Sequence, residues 1–330
     1  MVKILIGLVT AVVIAAAAFL GFEFYAQHRI SGEIEAAFEQ IRATGGQASH
    51  GKVSFGVLSR TVTVADIAVA SAAQPPVNFT IAGITVTGAS QPDAKRFSAD
   101  GIELTEIEVD VATPTPPGLN LTYKVPRMTV KGYSGPASLQ RPPASASFID
   151  VYRFALEQFA EITAASVAAP SLATTIDFGD AGNGSVTYAG LEIQDIRNGN
   201  IASVRVGEFT FAVHVLQAGK AQSITGDVVD IAAHDIDTVA AATILDPQKA
   251  NDDQYYTVYR QIQTGAYTLA SDQGVRMRID GLSINDIGVR PSRLQFQTLL
   301  AMMPPPGSAA RTPAEAQALA RDMMEKAADV

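Results

Sequence analysis

The stretch Gly101-Ile102-Glu103-Leu104-Thr105-Glu106-Ile107 decides the fold, because its apolar residues change step. Ile102 and Leu104 are two residues apart, as on one face of a strand, and Ile107 follows three positions after Leu104. Side chains of a strand alternate between faces, so a three-residue step sends later apolar residues to the opposite face unless the backbone absorbs one residue. The stretch predicts either a β-bulge that keeps one face apolar or a strand that turns, with Glu106 facing water or the bulge backbone.

The same step recurs at three other places in the chain. The other copies are Thr61-Val62-Thr63-Val64-Ala65-Asp66-Ile67, Gly190-Leu191-Glu192-Ile193-Gln194-Asp195-Ile196 and Gly281-Leu282-Ser283-Ile284-Asn285-Asp286-Ile287. The copies that begin at residues 101, 190 and 281 are 89 and 91 residues apart. This spacing indicates either duplicated units of about 90 residues or a chance recurrence in a β-rich chain. The predicted apolar face consists of Val62, Val64, Ile102, Leu104, Leu191, Ile193, Leu282 and Ile284.

The chain between these copies also has the patterns of strands and helices. Alternating segments lie at 77–87, 119–131, 185–197, 201–215 and 274–280, and Asn198-Gly199 predicts a hairpin because both residues tolerate positive φ. Short turns between strands favour antiparallel pairing. Helical spacing predicts a helix over 147–168 capped by Ser147, and a second over 239–262, broken at Asp246-Pro247. Tyr255, Tyr256, Tyr259 and Ile262 would form the buried side of that second helix.

The predicted fold class is α+β: mainly antiparallel β, with repeated bent strands, two or three packing helices and an N-terminal transmembrane helix. The C-terminal helix would begin at the capping box Thr312-Pro313-Ala314-Glu315, and the chain ends after it, which suggests a unit cut short. The expected segments are an anchor (1–26), an amphipathic stalk helix (27–48), a first β unit (49–140), a helix with a second β unit (141–235), a helix with a third β unit (236–303), and a linker with the C-terminal helix (304–330).

The N-terminal segment predicts a bacterial inner-membrane protein with one span. Residues 4–22 carry no charge and, at about 1.5 Å per residue, would span about 29 Å, close to the hydrocarbon core of a bilayer. Lys3 favours a cytoplasmic N-terminus, which places the body in the periplasm. A cleaved signal peptide ending at Ala15-Ala16-Ala17 is the alternative, although Phe24 and Tyr25 extend the apolar run. Residues 27–43 predict an amphipathic helix, a stalk or a helix lying on the body, which stops at Gly45-Gly46.

One segment carries a resemblance. An anchor and a short helix lead into Gly51-Lys52-Val53-Ser54-Phe55-Gly56 and Val62-Thr63-Val64-Ala65-Asp66-Ile67, a layout that resembles AsmA-like and YdgA-like bacterial envelope proteins. The resemblance covers mainly residues 1–110 and implies an anchor followed by repeated amphipathic strands. It assigns no functional residues.

The amino-acid composition excludes several kinds of binding partner and binding site. A net charge of −9 argues against a nucleic-acid partner, and the absence of cysteine excludes disulfides and thiolate zinc sites. His234-Asp235-Ile236-Asp237 could hold a metal ion, or could be a loop in which Asp237 caps a helix. The glycine-rich segment 179–185 has the pattern of a surface turn, since no phosphate-loop lysine follows. No catalytic, cofactor-binding or metal-binding residue is predicted.

These observations leave three functional hypotheses. The first is a non-enzymatic envelope protein that acts as a scaffold or handles a hydrophobic ligand such as a lipid. The second is an assembly partner in an envelope complex, and the third is an envelope hydrolase. The expected partners are the bilayer itself and a lipid ligand or other envelope proteins. A lipid role requires the predicted apolar face to line an exposed trough instead of lying beneath the helices.

Overall fold

A computed structural model describes residues 35, 38, 39, 41–43, 45–56, 58–70, 77–93, 95–112, 120–137, 148–217, 220–293 and 321. All of the described strands belong to one antiparallel sheet of 15 strands. The prediction of a mainly antiparallel β fold is therefore confirmed. The described strands of the segments expected as three β units are hydrogen-bonded into this single sheet.

The sheet is a meander in which successive long strands lie side by side. Its strands are β1 (Gln47–Ser49), β2 (Val53–Gly56), β3 (Thr61–Ala70), β4 (Val77–Thr87), β5 (Ser90–Asp93), β6 (Arg96–Ala112), β7 (Asn120–Pro136), β8 (Thr163–Asp177), β9 (Gly182–Arg197), β10 (Asn200–Gln217), β11 (Lys220–Asp237), β12 (Tyr256–Thr264), β13 (Tyr267–Ser271), β14 (Arg276–Ile279) and β15 (Leu282–Val289). The strand order is β1-β3-β4-β6-β7-β8-β9-β10-β11-β12-β15. The short strands β2, β5, β13 and β14 pair with β3, β6, β11 and β13, respectively.

The last four strands act as two interrupted long ones. β12 pairs with the C-terminal half of β11 and β13 pairs with its N-terminal half, in the same register. β15 pairs with β12 and β14 pairs with β13 in the same way. The meander thus ends on one long edge formed by β14 and β15.

The acidic residue of each repeated step has a left-handed backbone. The φ angles are 52° at Asp66, 48° at Glu106, 55° at Asp195 and 50° at Asp286, and all four side chains are exposed. The strands continue through these residues, so the alternative of a strand that ends at the step is wrong. The prediction that these acids face water is confirmed.

The step is shared by neighbouring strands and is not a bulge in one of them. On β9 and β10, Gln194 pairs with Ser203 and Ile196 pairs with Ile201, so Asp195 and its opposite residue, Ala202, are passed over together. The register is the same on both sides of this gap, whereas a bulge would place an extra residue on one strand only. Each step is therefore a kink common to both strands.

The kinks line up across the sheet in two kink rows. The first kink row contains Asp100, Gly132, Ala165, Asp195, Ala202, Asp235, Arg260 and Asp286. The second kink row contains Asp66, Ala82, Glu106 and Pro126 on β3 to β7, and Pro170, Gly190, Gly207 and Asp230 on β8 to β11. Where two row members lie opposite each other in the register, one has positive φ and the other has an ordinary backbone; Pro126 and Pro170, on the neighbouring strands β7 and β8, do not lie opposite each other and neither has positive φ.

Two prolines lie inside central strands because both occupy kink positions, where the backbone is outside the β ladder. A proline cannot donate to a β ladder and is normally confined to edges and bulges. Pro126 lies opposite Glu106, and Pro170 lies opposite Gly190, at positions that the register passes over. The kink rows therefore accept residues that a regular central strand would exclude.

The kinks bend the sheet towards its apolar side. Gln194 and Asp195 both face outwards between the buried Ile193 and Ile196, so the outer surface is longer than the inner one. Buried residues on β8 follow the same alternation of two- and three-residue steps, at Ala164, Val167, Ala169, Leu172 and Thr174. The inner face folds around its own side chains, which form one core cluster from β3 to β12.

The helices lie at the strand ends instead of over the sheet face. Helix α1 (Phe148–Ala160) contacts helix α2 (Thr238–Ile244), and Arg153 of α1 is 3.3 Å from Asp246 beyond α2. The predicted helix 147–168 is wrong beyond Ala160, because Ala164, Val167 and Ala169 belong to β8. The predicted helix 239–262 is wrong beyond Ile244, because β12 begins at Tyr256.

The two ends of the chain fall largely outside the described residues. The expected anchor 1–26 and the expected C-terminal helix lie there, except for Arg321, which is helical and exposed. No helix among the described residues is long and apolar enough to cross a bilayer. In the expected stalk helix, the described residues from 35 to 43 are helical, and Gly45 follows with a φ of 86°.

The 90-residue spacing does not correspond to a fixed number of strands. The copies at residues 101 and 190 lie on β6 and β9, which have two strands between them and so run in opposite directions. The copy at 281 lies on β15, which runs in the same direction as β9. This arrangement favours a recurring kink over a duplicated unit.

The kink geometry predicts that Gly and Val substitutions rank in opposite orders of stability at two exposed glutamates, Glu106 and Glu192. At Glu106, with positive φ, Gly should be as stable as Glu, whereas Val should lower the free energy of unfolding by about 1–2 kcal/mol. At Glu192, on a regular exposed position of β9, Val should be within about 0.5 kcal/mol of wild type and Gly should be less stable by about 0.5–1 kcal/mol. Urea denaturation of the four full-length variants measures these free energies of unfolding. If Gly and Val rank in the same order of stability at both sites, the kink at Glu106 is contradicted.

Candidate apolar binding face

The inner face of the sheet carries a continuous row of paired aliphatic residues. Each member is the register partner of the next, from β3 to β15: Val62, Val86, Ile102, Val130, Val167, Ile193, Val204, Ala233, Ile262 and Ile284. Paired side chains on one face of neighbouring strands contact each other directly. Four of the eight residues predicted for the apolar face, Val62, Ile102, Ile193 and Ile284, belong to this row.

Most of the predicted apolar face is filled by the protein itself. Val62, Val64, Ile102, Leu104, Leu191 and Ile193 are at most 6% exposed, whereas Leu282 is 55% and Ile284 is 44% exposed. The condition that all eight residues line one exposed trough is therefore not met by the six on β3, β6 and β9, and it is met only at Leu282 and Ile284 on β15. The kinks close the sheet around these side chains, an effect that the sequence pattern alone did not reveal.

The apolar face becomes exposed at the C-terminal end of the meander. We call this surface the open end: Ile224, Met277, Ile279, Leu282 and Ile284. These residues continue the rows that are buried elsewhere; for example, Leu269 of β13 pairs with Gly226 on one side and with Met277 on the other. Met277, Ile279, Leu282 and Ile284 are exposed because β14 and β15 have a described neighbour on one side only, whereas Ile224 lies near the start of β11, between β10 and β13.

The N-terminal end of the sheet is covered. Phe38 is fully buried in the core cluster, and its ring lies 4.8 Å from the ring of His50. The Arg42 guanidinium donates to the carbonyl oxygen of Ala48 on β1 at 2.8 Å and pairs with Glu35 and Glu39 at 2.6 Å each. The Arg42 hydrogen bond lowers the pKa of Glu35. The helical segment is thus fixed against the first strand, and the two ends of the apolar face differ.

A half-buried lip runs along the side of the sheet away from the helices. Val111 pairs with Leu121, Leu121 with Ile176, and Val213 with Ile224 of the open end. Beside this lip, the Tyr188 and Phe209 rings are 4.9 Å apart, and burial raises the pKa of Tyr188 to about 12. The lip and the open end form one apolar surface of graded exposure.

Charged groups near the open end lie on the outer face. Arg278 and Asp280 form an ion pair of 2.9 Å, and Arg260 is 3.7 Å from Asp235 in the first kink row. Arg276 and Arg278 alternate along β14 with the inward Met277 and Ile279. The inward side of β14 is therefore apolar, with its charges on the opposite side.

The polar side chains outside the apolar face have structural roles or stand apart from one another. Asp237 accepts a hydrogen bond from the backbone N–H of Ala240 at 2.8 Å, so the interpretation of Asp237 as a helix cap is confirmed. His214 is exposed on β10, and no cluster of three potential metal-ligating side chains occurs in the described part of the chain. Asp252 accepts a hydrogen bond from the Tyr256 hydroxyl at 2.8 Å. Hydrogen bonds from the Gln254 backbone and from Tyr256 lower the pKa of Asp252.

Comparison with known proteins identifies no relative. No protein-family model, curated protein or solved structure matches this chain. The resemblance to AsmA-like and YdgA-like envelope proteins stays a prediction, and any functional assignment depends on the geometry of the apolar face.

Two leucines of the repeated steps, one buried and one exposed, test how the face is exposed. Leu104 is fully buried and Leu282 is 55% exposed. Leu104→Ala should lower the free energy of unfolding by about 2–5 kcal/mol, because it leaves a cavity in a packed core. Leu282→Ala should lower it by less than about 1 kcal/mol, because solvent already reaches that side chain. Equal losses in urea denaturation would show that the open end is covered in solution.

Proposed function

We propose that this protein is a non-enzymatic, single-pass protein of the bacterial envelope that holds an apolar ligand of the acyl-chain class at the open end. The observation that carries the proposal is the exposure of Ile224, Met277, Ile279, Leu282 and Ile284 as one continuation of the buried core face. A contiguous exposed apolar surface of this kind marks an interaction site or a ligand-binding groove.

The shape and chemistry of the open end favour an acyl chain. The surface extends along the inner side of β14 and β15 and, through Ile224, adjoins the half-buried lip. The five side chains of the open end are aliphatic or thioether groups without hydrogen-bonding capacity, and the hydroxyl-bearing Thr264, Tyr267 and Ser271 are register partners of three of them. A hydrocarbon chain can lie against the five apolar side chains without a hydrogen-bonding partner, as an apolar ligand requires.

The proposed location in the envelope rests on the N-terminal sequence. Residues 4–22 lack charge over a bilayer-spanning length, and Lys3 favours a cytoplasmic N-terminus. At the C-terminal end of the amphipathic helix predicted to follow, Arg42 donates a hydrogen bond to the carbonyl oxygen of Ala48 on β1, which would tie this helix to the sheet. A body held beside a membrane in this way has direct access to lipids.

Ligand binding at the open end predicts a selective loss in a paired variant. Leu282→Thr combined with Ile284→Thr should weaken binding of a fluorescent fatty acid by about tenfold, since it removes apolar contact area while keeping strand-compatible side chains. The matched control is Leu58→Thr, at a fully exposed leucine in the turn before β3. Fluorescence titration of the full-length protein measures both variants. An equal effect of the two, or no binding by the wild type, contradicts the proposal.

The proposed location predicts how the protein is extracted and cleaved. The full-length chain should stay with the membrane fraction under alkaline carbonate extraction, and protease added to spheroplasts should digest the body. Release into the supernatant would indicate a cleaved signal peptide, and a body protected in intact spheroplasts would contradict a periplasmic location. Neither result depends on whether the open end binds a ligand.

A further inference from the structure

The last described strands, β14 and β15, have an edge without a partner among the described residues. β14 and β15 pair on one side with β13 and β12, and no described strand lies on the other side. An exposed edge presents unpaired N–H and C=O groups that can form a ladder with another chain. The other end of the sheet has short strands and the Phe38 helix against it, so the two edges differ in how they are protected.

The apolar residues of this edge form a pattern that is symmetric about Ser283. Met277, Ile279, Leu282, Ile284, Ile287 and Val289 are separated by steps of two, three, two, three and two residues. Read in either direction from Ser283, the spacing is the same. A two-fold axis through Ser283 and perpendicular to the sheet would pair this edge with itself in an antiparallel manner and keep both apolar faces on one side.

The kinks obey the same symmetry. In this pairing Asp286 of one copy lies opposite Asp280 of the other. Asp286 has a φ of 50°, whereas Asp280 is not among the residues with positive φ. A left-handed residue opposite an ordinary one is the alternation found along both kink rows inside the sheet. The bend of one copy would therefore continue into the other without a mismatch.

We propose that this protein forms a symmetric dimer in which β14 and β15 of two copies pair antiparallel about Ser283, giving one sheet with a continuous apolar inner face. Met277 then lies opposite Val289, Ile279 opposite Ile287, and Leu282 opposite Ile284. The open end becomes the middle of a longer apolar surface instead of its end. This assembly stands independently of the proposed ligand.

Two like-charge contacts would weaken the proposed dimer, and a substitution that removes them should strengthen it. Asp286 and Asp280 are like charges placed opposite each other, twice in the dimer, which is unfavourable. Arg278 is 2.9 Å from Asp280 and partly offsets this. Asp286→Asn removes both repulsions, and asparagine tolerates positive φ. This variant should therefore lower the dissociation constant of the dimer by about two- to tenfold.

A single cysteine tests the register, because the natural chain has none. In Ser283→Cys the two introduced thiols would lie on the axis, where directly opposed Cα atoms are about 4.5–5.5 Å apart, within the range of a disulfide. In the matched control, Asn285→Cys, the residue opposite the thiol is Gly281, so no disulfide is expected. Both side chains are exposed in the single chain.

The experiment uses the full-length protein in mild detergent, mild oxidation, non-reducing electrophoresis and light scattering. A dimeric mass, disulfide linkage of Ser283→Cys alone and tighter association of Asp286→Asn support the proposal. A monomeric mass without linkage overturns it and leaves the edge for a strand of another protein or for residues 294–330. Equal linkage of both cysteine variants, or weaker association of Asp286→Asn, also overturns it. None of these outcomes affects the fatty-acid titration of the proposed ligand site.

Discussion

The structure depends on one backbone constraint: inside each long strand, a residue must step out of the β ladder so that the apolar side chains can stay on one face. A regular strand with apolar residues at alternating steps of two and three would place half of them in water. The left-handed residue absorbs the difference, as at Asp195 between Ile193 and Ile196. A non-glycine residue in this conformation costs about 1–2 kcal/mol, which the burial of a single large aliphatic side chain can offset.

This constraint is cooperative across the sheet, which explains why it is seen on nearly every long strand. A kink on one strand removes a pair from the ladder, so the neighbour can also leave the ladder at the same level at little further cost. Pro126 and Pro170 occupy such positions, and they would be excluded from central strands that were regular. The two kink rows then fold a single layer around its own core, and the helices are left to pack at the strand ends.

The sequence predicted the outward acid, because Glu106 and its three counterparts interrupt a clear alternation, but it predicted a bulge or a strand end where neighbouring strands share a kink. It predicted the Asn198-Gly199 hairpin because both turn residues, with φ of 49° and 78°, are types that favour positive φ.

The prediction from sequence failed at β8 and β12 for a shared physical reason. Alternating steps of two and three average 2.5 residues, between the periods of a strand and a helix, and an alanine-rich or tyrosine-rich segment at that spacing resembles a helical stripe. The closure of the trough over Leu104 was missed because exposure depends on the summed bend of many strands, which no local pattern encodes.

The asymmetry of the two ends links this architecture to its proposed roles. A meander of kinked strands can be lengthened strand by strand, because each new strand repeats the apolar rows of the one before it. Something must therefore end the series. At the N-terminal end, Phe38 and the Arg42 contacts with Ala48 close the rows with a helix. At the C-terminal end, Leu282 and Ile284 are about half exposed, and the edge beside them has no partner among the described strands. The exposed apolar row and the strand edge without a described partner need different occupants. A hydrocarbon chain can cover the apolar side chains, whereas only another strand can pair with the backbone groups of the edge. The ligand and the second copy are thus compatible occupants of one end, since the former needs the inner face and the latter needs the backbone edge.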